Sequence, residues 1–408
     1  MISFFTLLYL SLFFFGIFFV LIFIMLHKKN FYELYEVPII KEYPTISILI
    51  PAYNEQDSIT DTITSVVNLE YPKGKKEIII INDGSKDNTL KIAKELKKRF
   101  PEIKILDKPN SGKANSLNEG IKMAKGELIA VVDADSYPDK EALINMVGHF
   151  NEKGVAAVTS RVLVKNKTNW LAKFQVFDYS IIAWTRKLLD FVDSVYVTNG
   201  PLSIYRMDVV RKIGGFDPKN LTEDIEITWH ILSLGYQTRM SYSAIVYTTV
   251  PENLKVWVKQ RVRWNLGGFQ TVWKYGKFIF RRRAFGNFVI PYVSASFVLA
   301  ILGLFLLLRF YYIEGSYYLV SFYYLMQGYS YFSYFDFNFY ITILFVLASI
   351  FFCLAIYYYK LGLKNSETQN KSILNILAYS FIYRSLYIVP LVIAVYKLAR
   401  GDIRWYTK

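Results

Sequence analysis

Ile2 to Leu26 contains no charged residue and is followed at once by His27-Lys28-Lys29. At 1.5 Å per residue, such a run exceeds the roughly 20 residues that cross a hydrocarbon core. A secretory signal would open on basic residues and carry a shorter apolar core ending in small residues. The stretch is therefore read as a retained anchor, and the basic residues after it place the following region in the cytoplasm.

The 53% apolar and 18% aromatic content of the 408 residues is uneven, crowding into the first 26 residues and the stretch after about Phe285. A water-soluble domain is expected between the two. The net charge of +15 gathers beside the apolar segments, at Arg281-Arg282-Arg283 and from Lys397 to Lys408. Anionic lipid headgroups and an anionic substrate account for it, and nucleic acid is excluded because no recognition module accompanies the charge. One cysteine, Cys353, and three scattered histidines, His27, His149 and His230, exclude an internal disulfide and a Cys/His zinc site.

From Ile46 to about Ser160 short apolar runs alternate with amphipathic stretches. Ile46 to Pro51, Glu77 to Ile81, Ile103 to Leu106 and Glu127 to Val132 are the predicted strands. Their continuous apolar character predicts a parallel sheet covered on both faces, which binds ligands outside the carboxyl ends of its strands. Asn54, Asp83 and Asp133 all fall at or just after strand ends. Asn169 to Asp193 and Pro251 to Tyr275 read as tryptophan-rich helices, either core elements or helices lying at headgroup depth. Phe285 to Leu308, Phe339 to Tyr359 and Ile373 to Leu398 are candidate membrane crossings, with Ser316 to Phe335 a weaker one. If all four cross, the lysines at 360, 364 and 371 fall on the side away from Lys28 and Lys29, against the positive-inside rule; the alternative is that Ser316 to Phe335 is re-entrant. Arg384, inside the last run, is expected to face protein or a polar cavity.

Chemistry concentrates in an ordered series. Pro51-Ala52-Tyr53-Asn54-Glu55 and Asn82-Asp83-Gly84-Ser85 offer a ring to stack on a base and carboxylates to accept from it. Asn110-Ser111-Gly112-Lys113 opens a helix whose free N–H groups and lysine favour a diphosphate. Asp133 and Asp135, one residue apart at a strand end, would repel unless a hard divalent cation sits between them and the phosphates. Thr222-Glu223-Asp224 brings acids to another helix start, and Gln260, Arg263 and Trp264 share one helical face.

In this order and spacing the motifs resemble family 2 glycosyltransferases of the GT-A fold, over roughly residues 45 to 270. Among these they resemble membrane-embedded synthases of the hyaluronan, chitin, cellulose and poly-N-acetylglucosamine type. The resemblance implies an α/β fold: a cytoplasmic, Rossmann-like GT-A domain with a mainly parallel sheet, joined to an α-helical transmembrane region. It implies an anchor at 1–28, the catalytic domain at 45–270, a basic aromatic connector at 271–284, transmembrane helices at 285–398 and a cytoplasmic basic tail at 399–408. Asp224 would be the catalytic base. Tyr53, Glu55, Asp83, Lys113, Asp133, Gln260 and Arg263 would bind the nucleotide sugar, and Gly200, Glu223 and Trp264 the acceptor. Asp135, with Asp133, would hold Mg2+ or Mn2+.

The implied activity is inverting transfer of N-acetylglucosamine or glucose from a UDP-sugar to a growing β-linked polysaccharide, processive and coupled to export. The implied location is the plasma membrane. The alternative is transfer of one sugar to a membrane lipid acceptor. A binding module without catalysis would have no need of Asp224. Asn82 departs from the pattern, standing where many relatives carry a second acid.

Overall fold

The structure, a computed structural model, describes residues 4–327, 339–364, 366 and 371–402. Its sheet has eight strands: β1 (Ile46–Ala52), β2 (Lys76–Asp83), β3 (Ile103–Lys108), β4 (Leu128–Val131), β5 (Ser136–Pro138), β6 (Val155–Val164), β7 (Ser203–Arg206) and β8 (Gln237–Thr248). The spatial order is β3-β2-β1-β4-β7-β6-β8-β5. The four strands expected from the sequence form the parallel half, β3-β2-β1-β4. Beyond β4 the sheet is mixed, because β7 enters antiparallel to both β4 and β6 while β6 and β8 are parallel.

Helix α1 (Phe4–Lys29) precedes the sheet. Helices α2 (Ile59–Val67), α3 (Thr89–Arg99), α4 (Lys113–Met123), α5 (Ile144–Val147), α6 (Trp170–Asp190), α7 (Met207–Lys212) and α8 (Glu223–Ser233) alternate with its strands. β1 shows why the continuous apolar strands belong inside. Ile46, Ile48 and Ile50 pack on Ile59, Ile63 and Val66 of α2, while Leu49 packs on Leu117 and Ile121 of α4. Each such fully buried side chain contributes about 1.5–3 kcal/mol of transfer free energy.

After β8 come α9 (Leu254–Tyr275), α10 (Ile290–Met326), α11 (Phe339–Leu363) and a C-terminal run of α12 (Ile373–Ala378), α13 (Arg384–Leu386) and α14 (Ile388–Ala399). Asn169 and Asn253 cap α6 and α9, accepting from the N–H groups of Ala172 and Lys255. Phe177 and Trp184 of α6 and Trp257 of α9 are buried, whereas Trp170 and Trp273 are exposed. Both helices therefore have a core face and a free aromatic edge.

Among the described residues four helices are long and apolar enough to cross a membrane: Phe4–Lys29, Phe285–Ile313, Phe345–Leu363 and Ile373–Ala399. Ser316 to Met326 is not a separate crossing, since it continues α10 without a break. Residues 328–335 of that expected segment lie outside the described residues, as do 403–408 of the basic tail. Helix α10 runs antiparallel to α1: Phe19 meets Tyr292 at 5.3 Å, the Tyr9 hydroxyl donates to Leu306 O at 3.0 Å, and Arg309 lies 3.7 Å from the Phe5 ring centroid. Helix α11 returns parallel to α1, with Phe13 on Phe351 and Phe23 on Tyr358. Lys364 therefore stands 4.8 Å from the Phe31 ring, at the same end as Lys28 and Lys29. With α10 as one helix before α11, the lysines after α11 and those after α1 stand at the same end of the helices.

The last apolar run does not stand apart from the α/β domain. Tyr379 and Tyr383 pack on Phe174 and Phe177 of α6, Tyr383 and Tyr387 on Trp257, and Ala394 on Val262 and Leu266. It follows α9 along much of that helix's length.

Candidate active site

The loops after β1 and β2 are tied to each other. Asn54, in the left-handed region at φ 55°, accepts from the Lys86 N–H at 2.8 Å, and its own N–H donates to the Ser85 hydroxyl at 3.1 Å. Gly84, at φ 68°, lies against Asn110, where an added Cβ would collide with the Asn110 backbone. Tyr53 and Glu55 sit half-buried on this rim, and the Ser58 hydroxyl donates to Glu55.

Asp83 is buried, and its carboxylate accepts from the N–H groups of Ser111 and Gly112, each at 2.9 Å, and from the Lys108 ammonium. Burial alone would raise its pKa, but the Lys108 and Ser111 hydrogen bonds outweigh it and hold the carboxyl below the ordinary range. The expected nucleotide contact must share or replace these bonds. In this structure Asp83 shapes the turn that presents Lys113.

Lys113, at the first turn of α4, forms ion pairs with Asp133 at 2.6 Å and Glu223 at 2.7 Å. Burial would lower its pKa, yet the charges of Asp133, Glu223 and Asp224 raise it, so it stays charged. The Gly200 backbone lies over this pair, and a Cβ there would strike Asp133 and Lys113. Gly200 O also accepts from the Asp133 N–H at 3.2 Å.

The Ser136 hydroxyl donates to Asp135 at 3.2 Å. Burial, then the charges of Asp133 and Glu55, push the Asp135 carboxyl up to about 7. Among the described residues no three His, Cys, Asp or Glu side chains gather into a metal cage. The donors present are the two aspartates at the end of β4, with Glu55 close enough to feel the same field. Such a carboxylate pair fits a hard divalent cation that takes its remaining ligands from phosphate and water.

Asp224 stands in the first turn of α8 and accepts from the Ile225 N–H at 2.9 Å. Burial, then the Glu223 charge, push its carboxyl up to about 6, while Lys113 and Arg263 act in the opposite direction. Glu223 itself is held low, because Lys113 and Arg263 outweigh its burial. The structure therefore brings Lys113, Asp133, Glu223, Asp224 and Arg263 into one electrostatic cluster, with Asp135 and Glu55 linked to it. Gln260 takes a different partner: its Oε1 accepts from Arg261 at 3.2 Å.

Two buried acids that carry no motif hold this arrangement. Glu226 accepts from the Tyr275 hydroxyl and the Lys274 ammonium, both at 2.6 Å, and Lys274 also pairs with Asp217 at 2.7 Å, joining α8 to the end of α9. Asp178 of α6 accepts from the hydroxyls of Tyr379 at 3.0 Å, Tyr383 at 3.3 Å and Tyr387. Arg261 lies 3.5 Å and Arg384 3.6 Å from the same carboxylate. Arg261 in turn stands 3.9 Å from the Trp264 ring centroid. The available sequence signal is an acid flanked by apolar residues within a helix, Ile225-Glu226-Ile227 and Phe177-Asp178-Tyr179.

Residues 47–214 match the model of Glycosyl transferase family 2. Over 230 residues the chain is 37% identical to a poly-beta-1,6-N-acetyl-D-glucosamine synthase of Staphylococcus epidermidis, covering 56% of this chain and 55% of that one. A protein of the same description from Staphylococcus aureus (strain MSSA476) is 35% identical over 235 residues, 57% of each chain. The match thus spans about half the length of these curated relatives. The solved mannosyltransferase PcManGT from Pyrobaculum calidifontis, in complex with GDP-Man and Mn2+, aligns with a TM-score of 0.58 at 18% identity, over 88% of this chain and 97% of that one. That likeness shows the fold, a curled, mostly parallel GT-A sheet with flanking helices.

Proposed function

We propose, from the match of residues 47–214 to glycosyltransferase family 2, that the chain is an inverting hexosyltransferase extending a β-linked polysaccharide from a UDP-sugar. The observation that carries the reading is the pairing of Lys113 with both Asp133 and Glu223, which brings the start of α8, with the buried Asp224, to the end of β4. N-acetylglucosamine is the favoured donor sugar, because relatives described as poly-beta-1,6-N-acetyl-D-glucosamine synthases are 35% and 37% identical to this chain over 235 and 230 residues.

In this reading the crevice at the strand ends binds the nucleotide, with Tyr53 against the base and Asp83, Glu55 and Asp133 around it. Lys113 and Arg263 meet the diphosphate, and Gln260 reaches it once released from Arg261. A Mg2+ or Mn2+ ion held by Asp135 and Asp133 would neutralise the departing diphosphate. Asp224 takes the proton from the acceptor hydroxyl as that oxygen attacks the sugar carbon and the bond to the diphosphate breaks. Glu223, held ionised, fixes Lys113 and flanks the acceptor, which rests on Trp264 and beside Gly200. The membrane helices would keep the domain at the cytoplasmic face of the plasma membrane and carry product outward.

The test is a panel of labelled UDP-sugars offered to the purified full chain in lipid with Mg2+ or Mn2+, reading product size. A ladder or high-mass polymer from one donor supports the reading. A one-sugar product that partitions wholly into organic solvent replaces it with lipid glycosylation.

A further inference from the structure

Where α6 roofs the ends of α10, α11 and the C-terminal run, there is a cavity of about 290 Å³. Its wall includes Arg186, Arg384, Thr185, Tyr196, Tyr292 and Tyr358. The Thr185 hydroxyl lies 2.8 Å from the Tyr358 hydroxyl, so the wall presents hydroxyls as well as rings. The cavity lies at the basic end of the candidate spans, near Lys28, Lys29 and Lys364. There a bilayer has its phosphates.

The charges around this cavity do not balance. Asp178, also in the wall, is shared between Arg261 and Arg384 and accepts from three tyrosine hydroxyls besides. Arg186 has the neutral Asn199 side chain as its hydrogen-bond acceptor and forms no ion pair among the described residues; Asp224 acts on it only at longer range. The wall therefore carries two guanidinium groups, Arg186 and the half-exposed Arg384, and its one carboxylate is shared with a third, Arg261 of α9. A guanidinium held away from bulk water without a counter-ion is costly, and phosphate oxygens match its planar donor fork. Ionisable side chains at such a depth in a membrane protein normally mark a site with a specific partner.

We propose that this cavity binds the phosphate of an anionic membrane phospholipid between Arg186 and Arg384, with the wall tyrosines around the headgroup. The acyl chains would leave between the apolar helices that form the floor. The occupant also has a route to the candidate active site. Arg186 donates to Asn199, and the adjoining Gly200 lies over Asp133 and Lys113. A bound headgroup would steady that loop from below, making Arg186 a positioning residue for it.

The test is binding, so it stands or falls separately from the sugar-transfer reading. Native mass spectrometry of the purified full chain, titrated with phosphatidylglycerol, phosphatidylcholine or inorganic phosphate, reads the adducts directly. Wild type should retain phosphatidylglycerol in preference to phosphatidylcholine. R186Q and R384Q should each weaken retention about tenfold, the loss of one charge-assisted bond pair, while R400Q at the end of α14 should leave it unchanged. Should R384Q fail to fold, R186Q with an unaltered melting temperature decides. Equal retention in wild type and R186Q overturns the proposal. Displacement of the lipid by inorganic phosphate alone would assign the site to a soluble phosphate, and displacement by a β-linked oligosaccharide would assign it to the polymer. Either overturns the lipid reading.

Discussion

The Lys113 ammonium lies 2.7 Å from the Glu223 carboxylate, joining the first turn of α4 to the turn of α8 that carries Asp224. One cation thereby sets the charge state at both helix starts. Lys113→Met should weaken UDP binding at least tenfold by removing a charge from the diphosphate site, measured by calorimetric titration. It should also move the acid limb of the rate profile to higher pH, by roughly one pH unit, because Lys113 opposes the rise at Asp224. An unmoved limb would separate the two groups.

The pH profile itself has a fixed sign. Asp224 acts as a base only when deprotonated, and its carboxyl is pushed up to about 6. Turnover should therefore be flat above that pH and fall roughly tenfold per unit below it. A rate that rises on acidification would contradict a carboxylate base.

Gly200 has no room for a side chain. Gly200→Ala places a methyl against Asp133 and Lys113, and overpacking of this kind costs about 1–3 kcal/mol. Because the displaced groups belong to the proposed donor site, UDP release should fall by about tenfold or more, with a smaller change in melting temperature. Preserved turnover would place the loop away from the reacting groups.

Much of this site is legible in the sequence because its groups lie at the ends of recognisable elements. Asp83 and Asp133 follow apolar strands, Lys113 follows Ser111-Gly112, and Asp224 starts a helix, so periodicity gives each its place at an element's end, while the role of each comes from the family resemblance. What periodicity does not carry is pairing across the chain. Asp83 is absorbed by the N–H groups of Ser111 and Gly112, and nothing in its own motif foretells that. The Asp178 cluster draws on α6, α9 and the C-terminal run, three segments whose proximity is a tertiary fact. The unbroken α10 escaped notice because its aromatic second half, with a glycine at 315, dilutes the apolar signal without breaking the helix.

Asp178→Ala should show what that cluster holds. Removing the carboxylate leaves the buried Arg261 without its ion-pair partner, releases the half-exposed Arg384 and leaves three tyrosine hydroxyls without their acceptor. The loss should be about 3–5 kcal/mol, read as a lower melting temperature in lipid. Tyr383→Phe, which removes one hydrogen bond, should cost about 1 kcal/mol. Equal effects of the two substitutions would mean that the carboxylate is not the hub.

The central claim is that Asp224 is the base of a sugar transfer carried out between α4, β4 and α8. The most direct measurement is UDP release by wild type and Asp224→Asn in lipid, with UDP binding titrated on both. The account predicts binding within about threefold of wild type and turnover lower by about 10³-fold, within the range general-base loss produces. Turnover within about threefold of wild type would remove Asp224 from the chemistry and contradict the account.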